Sequence, residues 1–511
     1  MFFTLLLSFC FLFIIYISYR FFIYPKQEIN RYLREGFSIG YFYPFLGEFK
    51  WMEQMKKKHL DFEHMRIHFM RNHPSSKGIV THILDSPQLL ICDAEMKKDF
   101  FTKKSQYYAK IPAIINAFIL YPNTSNLIIS ELDVWTKHRR ILSTCFSYKF
   151  IMSMKNLIKD TATSHFKKIK KLTDIEIMNE FQTITGSVIM KVIMGKDFSE
   201  LTYKNKSAPV ALAELMNRIM IYRSSLGCSI LGKSIWRKLN PLYAKILNEF
   251  EEFLEDYIKK IFDEKFKEFK IMHKQSDLQN YEGTSLIENI FKHIMLHDEQ
   301  YGPKEAVSDI VVLFVAGTDT TGYLLANLLL LLQNNPDKLN ILLDEVTSLL
   351  SKNPEPSAEQ IMNLEYLNAT IKEGLRLKSP VGEIFRRIAL KDHYLGDILI
   401  SKGTIVGMGI RLNFDDPKIF KDVDKFIPER WIKGHDLYDA AEEKDFYSYL
   451  PFSGGKRVCL GQHMSYLETK IILIEFLTRF NYLITNKEAL IWTLKFLAEF
   501  EPQIKVDLKP K

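Results

Sequence analysis

The run Pro451-Phe452-Ser453-Gly454-Gly455-Lys456-Arg457-Val458-Cys459-Leu460-Gly461 decides how the rest of this chain is read. One cysteine sits in a glycine-bracketed loop, two residues after an arginine. Gln462-His463-Met464-Ser465-Tyr466-Leu467-Glu468 follows and reads as the start of a long apolar helix. The glycines ahead of the cysteine let the backbone turn tightly and approach a flat group. A cysteine near a helix N-terminus is favoured as thiolate, because free N–H groups and the helix dipole stabilise negative charge. A zinc site needs about four ligands, and no second cysteine stands nearby. A solitary anionic sulfur suits an axial ligand to a haem iron. The competing reading of a lone cysteine is a small buried hydrophobe.

The spacing Phe452-x-x-Gly455-x-Arg457-x-Cys459-x-Gly461 fixes five residue types at set offsets. Chance gives such a match with probability below ~10⁻³ in a chain of ordinary composition. The loop resembles the haem-binding signature of the cytochrome P450 family at all five positions. That resemblance implies a mainly α fold with small β-sheets, the sheets gathered toward the N-terminal half. It implies one catalytic domain, haem b (iron protoporphyrin IX) and Cys459 as the metal ligand, with Phe452, Arg457 and Gly461 in the cofactor-binding loop.

Working outward, the 511 residues are 47% apolar and 25% charged, ordinary values for a globular protein. The formal net charge of +8 is spread without a long basic block, so nucleic acid is not an expected partner. An acidic protein or an anionic membrane surface fits better. Cys10, Cys92, Cys145, Cys228 and Cys459 are scattered with no CxxC pair, which points to a reducing compartment.

Met1 to Tyr19 carries no charged side chain. Its length as a helix, ~28 Å, approaches a bilayer core. Arg20, Lys26, Arg31 and Arg34 follow and should stay cytoplasmic. The segment lacks a basic start and a clear small-residue cleavage site, so an anchor is expected over a cleaved signal. The expected division is 1–24 membrane anchor, 25–50 linker and 51–511 haem-thiolate monooxygenase domain. Endoplasmic reticulum membrane is the expected location, with the catalytic domain facing the cytoplasm.

Gly78–Leu84 and Gln88–Cys92 read as a hairpin turned by Asp85-Ser86-Pro87. Glu131–Leu142 opens a helix in which Trp135 and Arg139 share a face. An indole N–H beside a guanidinium makes a carboxylate clamp. The segment resembles the family's W-x-x-x-R helix, which implies that Trp135 and Arg139 bind a haem propionate. Lys137, His138 and Arg140 leave a basic face for a reductase or for solvent. Asn240 and Pro241 suit an N-cap and first turn, while Ile219–Trp236 reads only as an apolar loop broken by glycines.

Pro303 to Asn335 reads as one long helix stopped by Pro336. Inside it, Ala316-Gly317-Thr318-Asp319-Thr320-Thr321 resembles the family's A-G-x-D-T-T motif. The resemblance places it over the distal face of the haem, with Asp319 and Thr320 as a catalytic proton route. Glu373, Arg376 and Arg430 match the E-x-x-R and P-E-R segments and are expected to serve folding. Arg386 is the third expected propionate anchor, and Val381, Gly382 and Ile384 are expected to face substrate. Whether Glu383 faces the pocket stays open. Asn413 reads as structural, and Leu399–Val406 as strand–turn–strand.

The resemblance therefore implies a monooxygenase that inserts one atom of O2 into a lipophilic substrate. No flavin module or Gly-rich nucleotide fingerprint is seen. NADPH-derived electrons are expected from a separate NADPH-cytochrome P450 reductase on the same membrane, with cytochrome b5 as a second donor. Two alternatives stay open: a haem-thiolate isomerase or dehydratase acting on a peroxide, and a non-catalytic haem-binding protein. Substrate identity is not carried by these motifs.

Overall fold

The helix expected from Pro303 forms one 32-residue element, Pro303–Asn334, and organises the core. Pro303 occupies its first turn, and the Gly302 N–H donates to Glu305 Oε2 at 3.1 Å. Although long and apolar enough to cross a membrane, this helix is mostly buried within the protein. It packs against helix Ile177–Met194. Glycine inside a helix costs about 1 kcal/mol against alanine. Gly317 lets the two helices approach closely, since a Cβ would stand 3.0 Å from Ile189 Cγ1. Phe181, Val188, Ile310, Phe314, Leu328, Ile471 and Phe476 belong to the large cluster around this contact.

The computed structural model describes residues 2–39, 76–118, 124–198, 200–223, 225–279, 285–296, 301–382, 384–438, 446–494 and 497–511, with isolated positions between. Glu383, and most of the stretch from 40 to 71 where the expected linker ends, lie outside the described residues.

A six-stranded sheet forms the second layer, in the order Ser38–Ile39, Gly78–Ile83, Ser86–Ile91, Ile405–Met408, Ile384–Ala389, Tyr108–Lys110. The expected hairpin is present and antiparallel. The expectation that sheets gather in the N-terminal half is corrected. Ile405–Met408 lies parallel to Ser86–Ile91, and further ladders use Phe480–Ile484 and Lys505–Pro510. Local alternation identifies strands but not their partners. For the same reason, Leu399–Val406 is two strands in two sheets. Ile398–Ile400 pairs with His393–Leu395, while Ile405–Met408 joins the large sheet.

Ile219–Trp236 is also corrected from apolar loop to helix. Ala208–Arg223 and Leu226–Leu239 are helical, with a kink at Gly232, whose φ is +73°. Asn240 caps the next helix as expected, its Oδ1 accepting from the Tyr243 N–H at 3.0 Å.

The N-terminal helix Phe2–Ser18 projects exposed Leu, Phe and Ile side chains. Continuous helical structure leads into Tyr24–Arg34, whose Ile29 and Tyr32 are buried against the sheet. Arg31 Nη1 donates to the Leu399 carbonyl at 2.7 Å. The start of the expected linker is therefore a docked helix. Its apolar positions recur at helical spacing and cover one edge of the sheet.

Candidate functional site

The cysteine loop is held by backbone hydrogen bonds and two left-handed residues. The Cys459 N–H donates to the Phe452 carbonyl at 3.0 Å, and the Val458 N–H to Gly455 at 3.2 Å. Ser453 and Gly455 take φ of +66° and +65°. At Gly455 a Cβ would meet the Phe101 carbonyl oxygen at 2.6 Å, so only glycine fits. Phe452 packs on Tyr466, ring centroids 5.3 Å apart. Gly461 caps helix Gln462–Arg479, and a Cβ there would stand 4.0 Å from Cys459 Sγ.

Cys459 opens onto an internal cavity of about 550 Å³. Phe452, Arg457, Trp135, Asp319 and Thr320 line the same space, as do Val312, Val315 and Ala316 of the long helix. The structure thus brings the cysteine loop and the A-G-x-D-T-T segment, far apart in sequence, to one cavity. Val381 lines it too, beside Ser379 and Pro380. Burial pushes the Cys459 thiol up, while the Gly461 N–H and Arg139 pull it down. A metal cation would reverse that balance, because a coordinating thiol loses its proton outright.

One wall of the cavity is cationic. The Arg457 guanidinium stacks 4.4 Å from the Trp135 ring centroid. It donates to the Ser130 carbonyl at 2.9 Å and to Glu131 Oε2 at 2.7 Å. Burial pushes Arg457 down to about 10, Glu131 opposes this, and Arg387 adds to it. Arg139 does not line the cavity among the described residues. Its Nη1 donates to the Val458 carbonyl at 2.9 Å, next to the cysteine.

Arg386 stands away from the cavity. Its side chain hydrogen-bonds Gln88 and does not line the cavity, whereas Arg387 does. Successive strand residues face opposite sides, so Arg386 and Arg387 point away from each other. Arg387 Nη1 is buried, makes no hydrogen bond and stands 3.6 Å from Glu131 Oε1. Glu131, Lys110 and Arg387 went unread in the sequence. Glu131 carried a signal, lying one helical turn before Trp135.

On the facing helix, Thr320 Oγ1 donates to the Ala316 carbonyl at 2.7 Å. Asp319 is 1% exposed. Its Oδ1 accepts from Gln182 Nε2 at 2.9 Å, and its Oδ2 is buried without a hydrogen-bond partner. Burial drives the Asp319 carboxyl up to about 7, with Gln182 lowering it and Glu499 raising it. Tyr323, one turn on, donates to Glu499.

The remaining motif residues build the frame. Arg376 Nε and Nη2 donate to both oxygens of Glu373 at 2.9 and 2.8 Å. Arg430 Nε reaches Glu373 Oε1 at 3.1 Å, and Trp431 Nε1 reaches Oε2 at 2.9 Å. Asn413 is buried, accepting from Lys97 and donating to the Cys92 carbonyl at 3.0 Å. His138 leaves the expected basic face. It is fully buried, with Nδ1 2.6 Å from Asp309 Oδ2, and Tyr301 donates to the same oxygen at 3.1 Å.

A cysteine that opens onto a cavity facing a helix with an acid–alcohol pair, inside a mainly α fold with small sheets, defines the haem-thiolate monooxygenase class. The comparisons agree. The family model described as "Cytochrome P450" matches residues 39–500, and the chain belongs to that family. Secologanin synthase 1 of Catharanthus roseus is 27% identical over 78% of this chain and 74% of its own length. Cytochrome P450 3A6 of Oryctolagus cuniculus is 25% identical over 69% of each chain. Protein LUTEIN DEFICIENT 5, chloroplastic, of Arabidopsis thaliana is 23% identical over 77% of this chain, which spans 65% of that relative's length. The heme domain of cytochrome P450DA superposes with a TM-score of 0.71 at 18% identity, covering 88% of this chain and 93% of that one.

The residues present fit the haem that the family implies. A lone sulfur opens into the cavity, and the opposite need, a partner for anionic edges, is met by Arg457, the orphaned Arg387 Nη1 and the Trp135 indole.

Proposed function

We propose that this chain is a membrane-anchored monooxygenase that inserts one atom of O2 into a lipophilic substrate. A separate NADPH-dependent reductase supplies the electrons, and cytochrome b5 is a second candidate donor. The observation that carries the reading is the shared cavity of Cys459, Asp319 and Thr320.

In this reading Cys459 ligates the iron, and Arg457, Arg387 and Trp135 hold the propionates. Phe452 and Gly461 shape the loop around the sulfur, while Arg139 braces it through the Val458 carbonyl. When bound, haem supplies the iron on which O2 is reduced, made electron-rich by the thiolate. The protein's part is proton management. Asp319, with a carboxyl near 7, takes and gives a proton at Oδ2 within the physiological range. Thr320 holds its hydroxyl at the cavity face through the Ala316 carbonyl. The apolar residues Val312, Val315 and Val381 exclude water and favour a substrate of the same character.

The apolar helix Phe2–Ser18 is compatible with a membrane anchor. We place it in the endoplasmic reticulum membrane, with residues 1–24 as anchor and the catalytic body facing the cytoplasm. Helix Tyr24–Arg34 belongs to that body. Reconstitution with reductase, NADPH and a panel of fatty acids, sterols and apolar amines tests the reading. Reductase-dependent oxygenated product supports it. Turnover of a hydroperoxide without reductase, and none with it, would replace it with the isomerase class.

A further inference from the structure

The cationic wall contains a carboxylate of its own. Glu131 sits at the entry to helix Leu132–Ser143 with both oxygens engaged. Oε2 accepts from Arg457 Nη2 at 2.7 Å. Oε1 accepts from the Lys110 backbone N–H at 2.7 Å and lies 3.6 Å from Arg387 Nη1. The Lys110 side chain lies in the same group, donating to the Ser130 carbonyl at 2.8 Å. Asp133, the other acid on this wall, is exposed.

The chain holds Glu131 in place at a conformational cost. Leu132 takes a φ of +44°, a region that leucine rarely adopts, and its side chain is 69% exposed. The strain sets the Leu132 side chain on the cavity wall and the Glu131 carboxylate against two guanidiniums. Backbone strain of this kind persists where the surroundings fix it.

We propose that Glu131 is a built-in counter-ion that competes with the anionic edge of the cofactor for Arg457 and Arg387. It neutralises the wall on which the propionates must land, and so limits how tightly haem is retained. The proposal rests on the haem-binding reading above. A carboxylate that oriented the arginines for the cofactor would strengthen retention. One that shares their donors and repels a like charge weakens it. Two carboxylates on one cation cluster divide its attraction, so removing the internal one leaves more for the ligand.

The test is the rate of haem transfer from the ferric holoprotein to excess apomyoglobin, read with the holoprotein's melting temperature. Glu131→Gln is expected to release haem about tenfold more slowly, with the thiolate-type absorption spectrum unchanged. Glu131→Asp keeps the charge but draws it back by one methylene, and is expected to slow release about threefold. It remains informative if the glutamine variant does not accumulate. Release as fast as wild type, or faster, in either variant overturns the proposal. A merely structural role predicts faster release together with a lower holoprotein melting temperature. A wild-type protein that holds no haem fails the functional reading instead, so the two failures are distinct.

Discussion

Gln182 Nε2 donates to Asp319 Oδ1 at 2.9 Å across the contact between the two central helices. The bond fixes one oxygen of a buried carboxyl and leaves the other free to exchange a proton. Burial raises the Asp319 carboxyl from 3.8 to about 7 in spite of the Gln182 bond.

That shift makes stability depend on pH. Between the ordinary value and about 7 the folded protein binds more protons at Asp319 than the unfolded chain. The site therefore costs nothing below that window, and stability falls as pH rises through it. Asp319→Asn is expected to be more stable than wild type at about pH 8, by roughly 2–4 kcal/mol, with the gap closing toward about pH 4. Thermal denaturation across that range checks it. Product formation should fall in the same variant. Gln182→Leu, by removing the opposing bond, should move the upper inflection of the wild-type pH–rate profile to higher pH.

Thr320 presents its hydroxyl to the cavity while Asp319 turns toward Gln182. Thr320→Ala is expected to keep substrate-dependent NADPH consumption and release hydrogen peroxide in place of product. The ratio of product to NADPH consumed measures it, and a fall of about tenfold or more is the expected size for loss of a positioned proton donor. An unchanged ratio counts against the relay.

Arg386 and Arg387 are adjacent in sequence and opposite in the sheet. Arg387→Ala is expected to lose haem at least about tenfold faster than wild type, since one charged hydrogen bond to a carboxylate is worth roughly 1.5–3 kcal/mol. Arg386→Ala, whose side chain is on Gln88, should release haem within about threefold of wild type. Haem transfer to apomyoglobin compares them directly.

Glu373 binds Arg376, Arg430 and Trp431 at a fully buried position. Removing one partner strands a buried charge, which costs about 3–5 kcal/mol. Arg430→Ala should therefore lower the denaturation midpoint severely, and folded holoprotein should be scarce. Urea unfolding followed by intrinsic fluorescence measures the loss.

The motifs made the site legible because each is a short string whose chemistry is local. The cysteine loop and the acid–alcohol pair line one cavity, and Glu373 pairs with Arg376 and Arg430. What it missed depends on long-range partners. Arg387, and not Arg386, lines the cavity because strand phase is set by pairing with Ile405–Met408. Lys110 and Glu131 meet Arg457 only after the sheet and the cysteine loop come together. His138 looked like part of a charged face, yet Asp309, 171 residues away, draws it inside. Near Gly232 the breaker signal held as a kink, and what the sequence missed was the helix on either side of it.

The central claim is that the Cys459 sulfur ligates haem iron in this cavity. It is tested most directly by the absorption spectrum of the dithionite-reduced protein under carbon monoxide. Wild type is expected to show the red-shifted band of a thiolate-ligated haem, and Cys459→Ala to lack it while the Glu373 network stays intact by urea unfolding. A Cys459→Ala protein that keeps the wild-type band would contradict the account.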